Sequence, residues 1–266
     1  MGAGRARLPR EERRTPMRLR DLARQAGVHP STVSRVLNGD PAVRVSEATR
    51  TNLLRLAATT GYRPNRLARS LKMQRTRIVA MLIPDVANPF FAVLLRAVED
   101  AAAAAGYNVI LCNTDDRAAR LEQHLRMLTE GHVDGLLLAT AHVQDEAIAS
   151  LRRRSVPYVL VNRRREEPDD AFVVPDDRRG AELAVEHLVA LGHRRIAHIA
   201  AAPDISTSAA RRVGFGEALA ALGRPAAPEL VVEGALTEAA GERAMRRLLA
   251  LPPERRPTAV FAVNDL

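Results

Sequence analysis

At 266 residues, 47% of them hydrophobic, the chain is long enough to fold into roughly two or three compact units. A single cysteine excludes a disulfide framework and suits a reducing compartment, and no apolar run approaches the ~20 residues of a membrane-spanning helix. The net charge of +9 is uneven, because residues 1–76 carry +12 and residues 77–266 carry −3. A basic head on a near-neutral body favours a cytoplasmic, nucleoid-associated protein whose head binds phosphates, with no membrane partner.

Residues 1–16 precede the first regular pattern and are rich in Arg, Glu and Pro. They predict a basic disordered arm over residues 1–17, unless the true start is Met17, which the onset of periodicity within two residues of it favours.

A helix-turn-helix is predicted at residues 19–38. Apolar residues recur at helical spacing over residues 19–26, Gly27 ends this first helix, and Pro30 opens a second one where its missing N–H costs nothing. The second helix turns aliphatic residues inward and leaves a hydroxyl-rich face with one arginine outside. Such a face suits the DNA major groove, whose base edges offer hydrogen-bond donors and acceptors.

A third helix between Ser46 and Gly61 can close a small three-helix core, which completes a DNA-binding domain at residues 18–63. Residues 64–76 follow as a linker, in which Asn65 can cap one or two further helical turns. A helix this short with little apolar surface is marginal in water, so we expect it to order only when something holds it.

From Arg77 onwards the pattern changes to alternating strands and helices. Buried strands are predicted at residues 78–84, 107–112, 133–139, 158–161, 196–200 and 259–263. Amphipathic helices are predicted at residues 90–105, 117–130, 145–153, 179–191, 209–222 and 239–251. This alternation predicts parallel sheets covered by helices on both faces, with ligands beyond the carboxyl ends of the strands. Cys112 is expected to be a buried strand residue.

Several short motifs occur in a fixed order along the chain. The helix-turn-helix is followed by Tyr62-Arg63-Pro64-Asn65, by the run PDVANPFF at residues 84–91, and by motifs at residues 133–136, 156–157, 187–196 and 257–261. In this order they resemble LacI/GalR-type bacterial transcription regulators, from about Leu19 to the last residue. The resemblance implies an all-α helix-turn-helix headpiece and an α/β body with parallel sheets, two-lobed like periplasmic sugar-binding proteins.

The resemblance also divides the body. It implies an N-lobe of an effector-binding domain at residues 77–174 and a C-lobe at residues 175–266. Because the family pattern continues into a further helix and strands beyond residue 266, we expect the C-lobe to be incomplete and the chain to be truncated.

In this family the second helix of the headpiece lies in the major groove of a palindromic operator, in double-stranded DNA bound by a homodimer. The base-contacting residues implied here are Pro30, Ser31, Thr32, Ser34 and Arg35. The chain departs from the family at His29, where a serine is usual, so the hydroxyl cap is missing. Because Pro30 cannot donate a hydrogen bond, we expect an altered base preference at one half-site position.

Residues 64–76 correspond to the hinge helix of the family, which enters the minor groove at the operator centre. The contacts implied by position are Asn65, Ala68, Leu71 and Lys72. Leu71 is the expected wedge between base steps, and Ala68 is expected to pack against the hinge of the second copy. An apolar wedge kinks the duplex, and two hinges from a dimer must meet to produce that kink.

The resemblance further implies a repressor whose operator affinity is controlled by a small effector, a sugar or related metabolite, bound between the lobes. The implied effector contacts are Asn88, Phe90, Phe91, Asn162, Arg211, Asn264 and Asp265. Other interpretations stay open: the two phenylalanines could be core, Arg211 a solvated helix residue, and the last two residues a helix cap. Leu236 and Ile205 are apolar where the family often has aromatic and polar residues, which leaves the ligand class open.

Catalytic motifs are missing from the sequence. It has no glycine-rich phosphate motif and no metal-ligand spacing, so we expect no enzyme, no cofactor and no metal site. His187, His193 and His198 are interpreted as structural residues. Two alternatives remain: an intracellular solute-binding protein without a regulatory role, against which the basic head argues, and a non-functional gene fragment.

Overall fold

The computed structural model describes residues 17–62 and 75–266. These stretches belong to two compact units, divided between Gln74 and Arg75. Outside the described residues lie the implied hinge contacts Asn65, Ala68, Leu71 and Lys72.

The first unit is a small helical domain. Its helices are α1 (Leu19–Ala26), α2 (Pro30–Leu37) and α3 (Glu47–Thr60). Gly27 ends α1 with a φ of 65°, a left-handed conformation that glycine adopts without steric cost, and the Ser46 side chain caps α3. Leu22, Val33 and Leu53 contribute one residue from each helix to the core, and all three are fully buried. The predicted three-helix headpiece is therefore confirmed.

The second unit contains two parallel sheets. The strands of the larger sheet are β1 (Ile78–Ile83), β2 (Asn108–Asn113), β3 (Gly135–Leu138), β4 (Tyr158–Val161) and β5 (Phe172–Val173). The strands of the smaller sheet are β6 (Ile196–Ala201), β7 (Val231–Gly234) and β8 (Ala259–Ala262). The strand orders are β2-β1-β3-β4-β5 and β7-β6-β8. We refer to the part built on the larger sheet as the first lobe and to the rest as the second lobe.

Helices connect the strands of both sheets. They are α4 (Pro89–Ala104), α5 (Ala118–Leu128), α6 (Glu146–Arg153), α7 (Asp177–Ala190), α8 (Ser206–Ala221) and α9 (Glu238–Leu249), with a short 3₁₀ turn at Pro228–Leu230. No helix in the two described stretches combines the length and the apolar character needed to cross a membrane.

Both faces of the larger sheet are covered, as the alternation along β1 shows. Ala80 and Leu82 belong to one core cluster, together with leucine and isoleucine side chains of α5 and α6. Met81 and Ile83 point to the opposite face, where they pack with Phe91 of α4. All four β1 side chains are at most 1% exposed. A strand with helices on both faces accounts for the unbroken apolar run in the sequence.

The predicted fold class, an all-α headpiece followed by an α/β body with parallel sheets, is confirmed. Cys112 is 5% exposed in β2, as predicted. Two short strands were missed by the sequence analysis. The strand β5 has only two residues, both exposed, and β7 reads Val-Val-Glu-Gly, which is too short and too polar for a periodic signal.

His198 lies in the core of the second lobe, in the middle strand β6. Its ring stacks on Phe261 with a centroid distance of 4.9 Å and packs at a tilt against Phe215 at 5.0 Å. Nδ1 lies 2.9 Å from the Phe261 carbonyl oxygen, so it carries the proton that this bond needs. Nε2 is buried and has no hydrogen-bond partner among the described residues. These contacts agree with the interpretation of His198 as a structural residue.

We expect His198 to make a contribution to the free energy of unfolding that falls as the pH decreases through the ordinary histidine range. Burial lowers the pKa of His198. Below about pH 6.5, His198 therefore binds a proton in the unfolded chain but stays neutral in the folded chain, and this difference destabilises the fold. In His198→Phe, which keeps an aromatic ring in the stack, this part of the pH dependence should vanish. Urea unfolding at several pH values checks it. The exposed His187→Gln is the control, and a slope in His198→Phe equal to that of wild type would contradict the assignment.

Candidate DNA-binding helix and ligand cleft

The start of α2 is capped by His29. Its Nδ1 accepts a hydrogen bond from the Ser31 amide at 3.3 Å and lies 2.8 Å from Ser31 Oγ. An imidazole nitrogen thus takes the place of the missing hydroxyl cap, so the departure from serine does not leave the helix start without a side-chain acceptor. Pro30 occupies the first helical position, where no amide donor is needed.

The outer face of α2 carries the polar residues that the sequence analysis selected. Ser31 and Arg35 are exposed, whereas Pro30, Thr32 and Ser34 are half-buried. Val33 and Val36 point the other way, at 0% and 3% exposure. Hydroxyl groups and one guanidinium therefore share the side of the helix that faces away from the core.

Arg35 is held in place by an ion pair with Asp40, just after the helix. Arg35 Nε lies 2.7 Å from Asp40 Oδ2, and Asp40 Oδ1 accepts a hydrogen bond from the Ala42 amide at 2.9 Å. The hydrogen bond from Arg35 lowers the pKa of Asp40, so the pair is fully charged near neutral pH. An exposed, oriented guanidinium is suited to bidentate contact with a guanine edge.

A cleft of about 800 Å³ lies between the two lobes of the body. Its walls come from the segments that follow β4 and β5 and from the starts of α7 and α8. The lining includes Asn162, Arg164, Phe172, Asp177, Ser206 and Val213. Charged, amide and hydroxyl groups stand here beside apolar side chains, a mixture that suits a small polar metabolite.

Two hydrogen bonds join the lobes beside this cleft. The Val143 amide donates to the Asp204 carbonyl oxygen at 2.8 Å, and the Arg164 amide donates to Ser206 Oγ at 2.9 Å. Arg164 also lies over the Phe172 ring, with its guanidinium carbon 5.4 Å from the ring centre. The carboxyl ends of β4 and β6 thus meet at the cleft, as expected for ligand sites in parallel sheets.

The effector contacts proposed in the first lobe are spread over different environments. Asn162 lines the cleft and has a φ of 65°. Its backbone N–H donates a hydrogen bond to the Val173 carbonyl oxygen at 2.9 Å. Asn88 caps α4 through a hydrogen bond from the Phe90 amide at 3.0 Å. Phe90 is 51% exposed, whereas Phe91 is 4% exposed inside the core. Phe91 therefore has almost no surface to offer a ligand, which agrees with its alternative interpretation as a core residue.

Arg211 joins three elements of the second lobe. Its Nε and Nη2 lie 2.8 and 2.7 Å from Asp177 Oδ1 at the start of α7, and Nη1 donates to Val263 O just after β8. Burial raises the pKa of Asp177 although the Arg211 charge opposes the shift. Asn264, half-buried, and Asp265, exposed, follow directly. In this arrangement Arg211 links the start of α7 to the end of β8, so it is not a solvated helix residue without contacts.

Arg164 and Ser206 line the cleft but were not selected from the sequence. Both follow predicted strands, and the run NRRREE after the strand at residues 158–161 was a signal that could have been used. Ile205 is 6% exposed and Leu236 is half-buried. Both side chains are apolar, so neither can offer a ligand the polar or aromatic contact that the family resemblance leads one to expect at these positions. In residues 17–62 and 75–266, no group of three His, Cys, Asp or Glu side chains could hold a metal ion.

Two family profiles match the chain. "Bacterial regulatory proteins, lacI family" matches residues 18–65, and "Periplasmic binding proteins and sugar binding domain of LacI family" matches residues 76–266. Together they cover the headpiece and both lobes of the body.

Individual relatives agree with these profiles. The HTH-type transcriptional repressor PurR of Mannheimia succiniciproducens is 34% identical over 249 residues, which cover 93% of this chain and 73% of the relative. The structure of the transcriptional regulator CelR–cellobiose complex is 35% identical, with a TM-score of 0.65, covering 92% of this chain and 73% of that one. The lac repressor dimer bound to operator and the anti-inducer ONPF is 26% identical, with a TM-score of 0.81, covering 94% and 74%.

Proposed function

Because the chain belongs to the LacI family of bacterial regulatory proteins, we propose that it binds a palindromic operator as a homodimer and that a sugar or related metabolite between the lobes controls this binding. At the coarser level, the chain is a DNA-binding transcription regulator under small-molecule control, and it is not an enzyme. The finer statements are supported by the headpiece, by one face of α4 and by the cleft.

The observation that carries the proposal is the outer face of α2. It combines Ser31, Thr32, Ser34 and an oriented Arg35 on a short, capped helix. The headpiece also lies in the part of the chain that holds the whole excess of positive charge. Hydroxyls and a guanidinium can read base edges, while surrounding arginines neutralise phosphates.

An exposed apolar stripe at the start of α4 supports the homodimer. Phe90 and Val93, one helical turn apart, are 51% and 75% exposed, and Val86 just before the helix is 58% exposed. Contiguous exposed apolar groups mark interaction surfaces, and a two-fold partner would cover the same patch on both copies. Two headpieces would then read two half-sites of a palindrome.

In vitro selection from random duplexes with the full chain tests the DNA side of the proposal. We expect enrichment of a palindrome with two half-sites separated by a whole number of helical turns. Enrichment of no sequence would contradict specific DNA binding. Enrichment of a single half-site would contradict the homodimer.

The cleft supports a neutral or polar metabolite of sugar size, since its volume of about 800 Å³ lies within the usual range of ligand pockets. Cellobiose is the ligand in the structure of the relative CelR. In this chain, Asn162 offers both a donor and an acceptor to hydroxyl groups from the end of β4. Effector control follows if the bound metabolite favours one arrangement of the lobes over another.

Asn162→Gly is expected to weaken effector binding by about threefold to thirtyfold, because one or two hydrogen bonds of about 1 kcal/mol each are lost. The φ of 65° makes glycine the substitution that removes the amide without backbone strain. Ser155→Gly, with a φ of 54° before the same strand, is the matched control. Calorimetric titration with a sugar found by thermal-shift screening measures the change. Equal affinities for wild type and Asn162→Gly would remove Asn162 from the site.

A further inference from the structure

Four charged side chains from four different strand ends meet between the two lobes. Asp116 follows β2, His142 follows β3 and Arg163 follows β4, all in the first lobe. Asp204 follows β6 in the second lobe. His142 is 62 positions from Asp204 in sequence, so only the fold brings the two together.

The imidazole of His142 lies between two carboxylates. Its Nε2 is 3.3 Å from Asp116 Oδ1 and its Nδ1 is 3.0 Å from Asp204 Oδ2. A carboxylate only accepts hydrogen bonds, and a neutral imidazole has a single N–H to donate. Both contacts can therefore be hydrogen bonds only when His142 is protonated. We call Asp116, His142 and Asp204 the inter-lobe bridge.

The first-lobe half of the inter-lobe bridge is fixed by Arg163. This side chain is 3% exposed, and its Nη1 lies 2.7 Å from Asp116 Oδ1. Burial alone would raise the pKa of Asp116, but the hydrogen bond with His142 and the charge of Arg163 together lower it to about 2. Asp116 is therefore an anion throughout the range in which histidine titrates.

Both negative and positive side chains surround His142, and their effects on its pKa oppose one another. The hydrogen bond with Asp116 raises the pKa of His142, helped by Asp204 and opposed by burial and by the Arg163 charge. Of the remaining nearby charges, Asp115 is paired with Arg120, and Glu166 approaches through its amide, 3.3 Å from Val143 O. Among the described residues, the ion pairs of His142 involve only Asp116 and Asp204.

We propose that the inter-lobe bridge is a proton-operated contact, in which protonated His142 holds the lobes together and loss of its proton frees the second lobe to move. Without the proton, His142 can donate a hydrogen bond to only one of the two carboxylates. Two further hydrogen bonds, from Val143 to Asp204 and from Arg164 to Ser206, join the lobes next to the inter-lobe bridge. Arg164 and Ser206 also line the cleft. The response to effector thereby becomes pH-dependent, a consequence that rests on the proposed function.

The contact itself can be tested on the full chain without DNA or effector. NMR titration of the histidine side chains should give His142 a pKa above 6.5 in wild type and a lower one in Asp204→Asn. The Val143 amide, corrected for its intrinsic rate, should exchange about fivefold to tenfold faster at pH 8 than at pH 6. In His142→Gln, which is neutral at every pH, this ratio should fall to about one. His132→Gln, an exposed histidine of the first lobe, is the control and should keep the wild-type ratio.

A His142→Gln protein with the wild-type exchange ratio would overturn the proposal, as would a His142 pKa that is equal in wild type and Asp204→Asn. Neither result depends on operator binding. If selection fails to yield an operator while His142 titrates as expected, the proposed function falls and the inter-lobe bridge stands. The reverse outcome removes the bridge and leaves DNA binding untouched.

Discussion

Gly214→Ala should destabilise the body by about 3 kcal/mol or more, the largest effect we expect from a single added methyl group. A Cβ at this position would lie 2.3 Å from the Arg178 carbonyl oxygen and 3.0 Å from its carbonyl carbon. Both are backbone atoms of α7, so α7 and α8 would have to move apart. Overpacking of this kind costs about 1–3 kcal/mol when side chains can yield, and backbone atoms yield less easily.

The control for this prediction lies two residues further along α8. At Gly216 an added Cβ meets nothing within 4 Å, so Gly216→Ala should be neutral or stabilise by up to about 1 kcal/mol through helix propensity. Urea unfolding followed by circular dichroism compares the two variants. Because α7 and α8 both begin at the cleft, Gly214→Ala should also impair effector binding. If both variants unfold at the wild-type midpoint, the close approach of the two helices is wrong.

Arg35→Ala should reduce the affinity for the selected operator by about fivefold to 150-fold, the loss of about 1–3 kcal/mol typical of a bidentate base contact. The affinity for unrelated DNA should fall much less, because Arg35 would be reading a base rather than neutralising a phosphate. Fluorescence anisotropy with operator and scrambled duplexes measures both affinities. Equal losses for the two duplexes would assign Arg35 to the phosphate backbone instead.

Two further variants separate charge from geometry at Arg35. Arg35→Lys keeps the charge but loses the planar fork, so its operator affinity should resemble that of Arg35→Ala. Asp40→Asn removes the ion pair that orients Arg35 at 2.7 Å while leaving the guanidinium in place. Its operator affinity should stay within a few-fold of wild type, since exposed ion pairs contribute only about 0–1 kcal/mol.

Local signals in the sequence were sufficient for most of the fold. Gly27 and Gly61 end helices with φ near 65°, and Ser46 caps a helix, because these residues act through neighbours a few positions away. The unbroken apolar run of β1 likewise predicts a strand that is covered on both faces. The edge strand β5 could not be predicted, because two exposed residues carry no periodicity.

Contacts between distant parts of the chain explain what the sequence could not reveal about the site. Arg211 stays a predicted effector contact, but no pattern in the sequence indicated its bonds to Asp177 and Val263, which lie 34 and 52 positions away. His29 was read as the loss of a cap, because hydroxyls and carboxylates are the usual acceptors, yet its imidazole fills that role. His142 gave no signal at all, since both of its partners come from other strand ends.

The effector control inferred for this chain depends on DNA recognition by α2, and the affinity of the full chain for DNA at two salt concentrations tests that claim most directly. We predict that the selected palindrome is bound at least about 10³-fold more tightly than a scrambled duplex, and that both affinities fall steeply between about 50 and about 200 mM salt. Equal affinity for the two duplexes, or an affinity that does not change with salt, would contradict it.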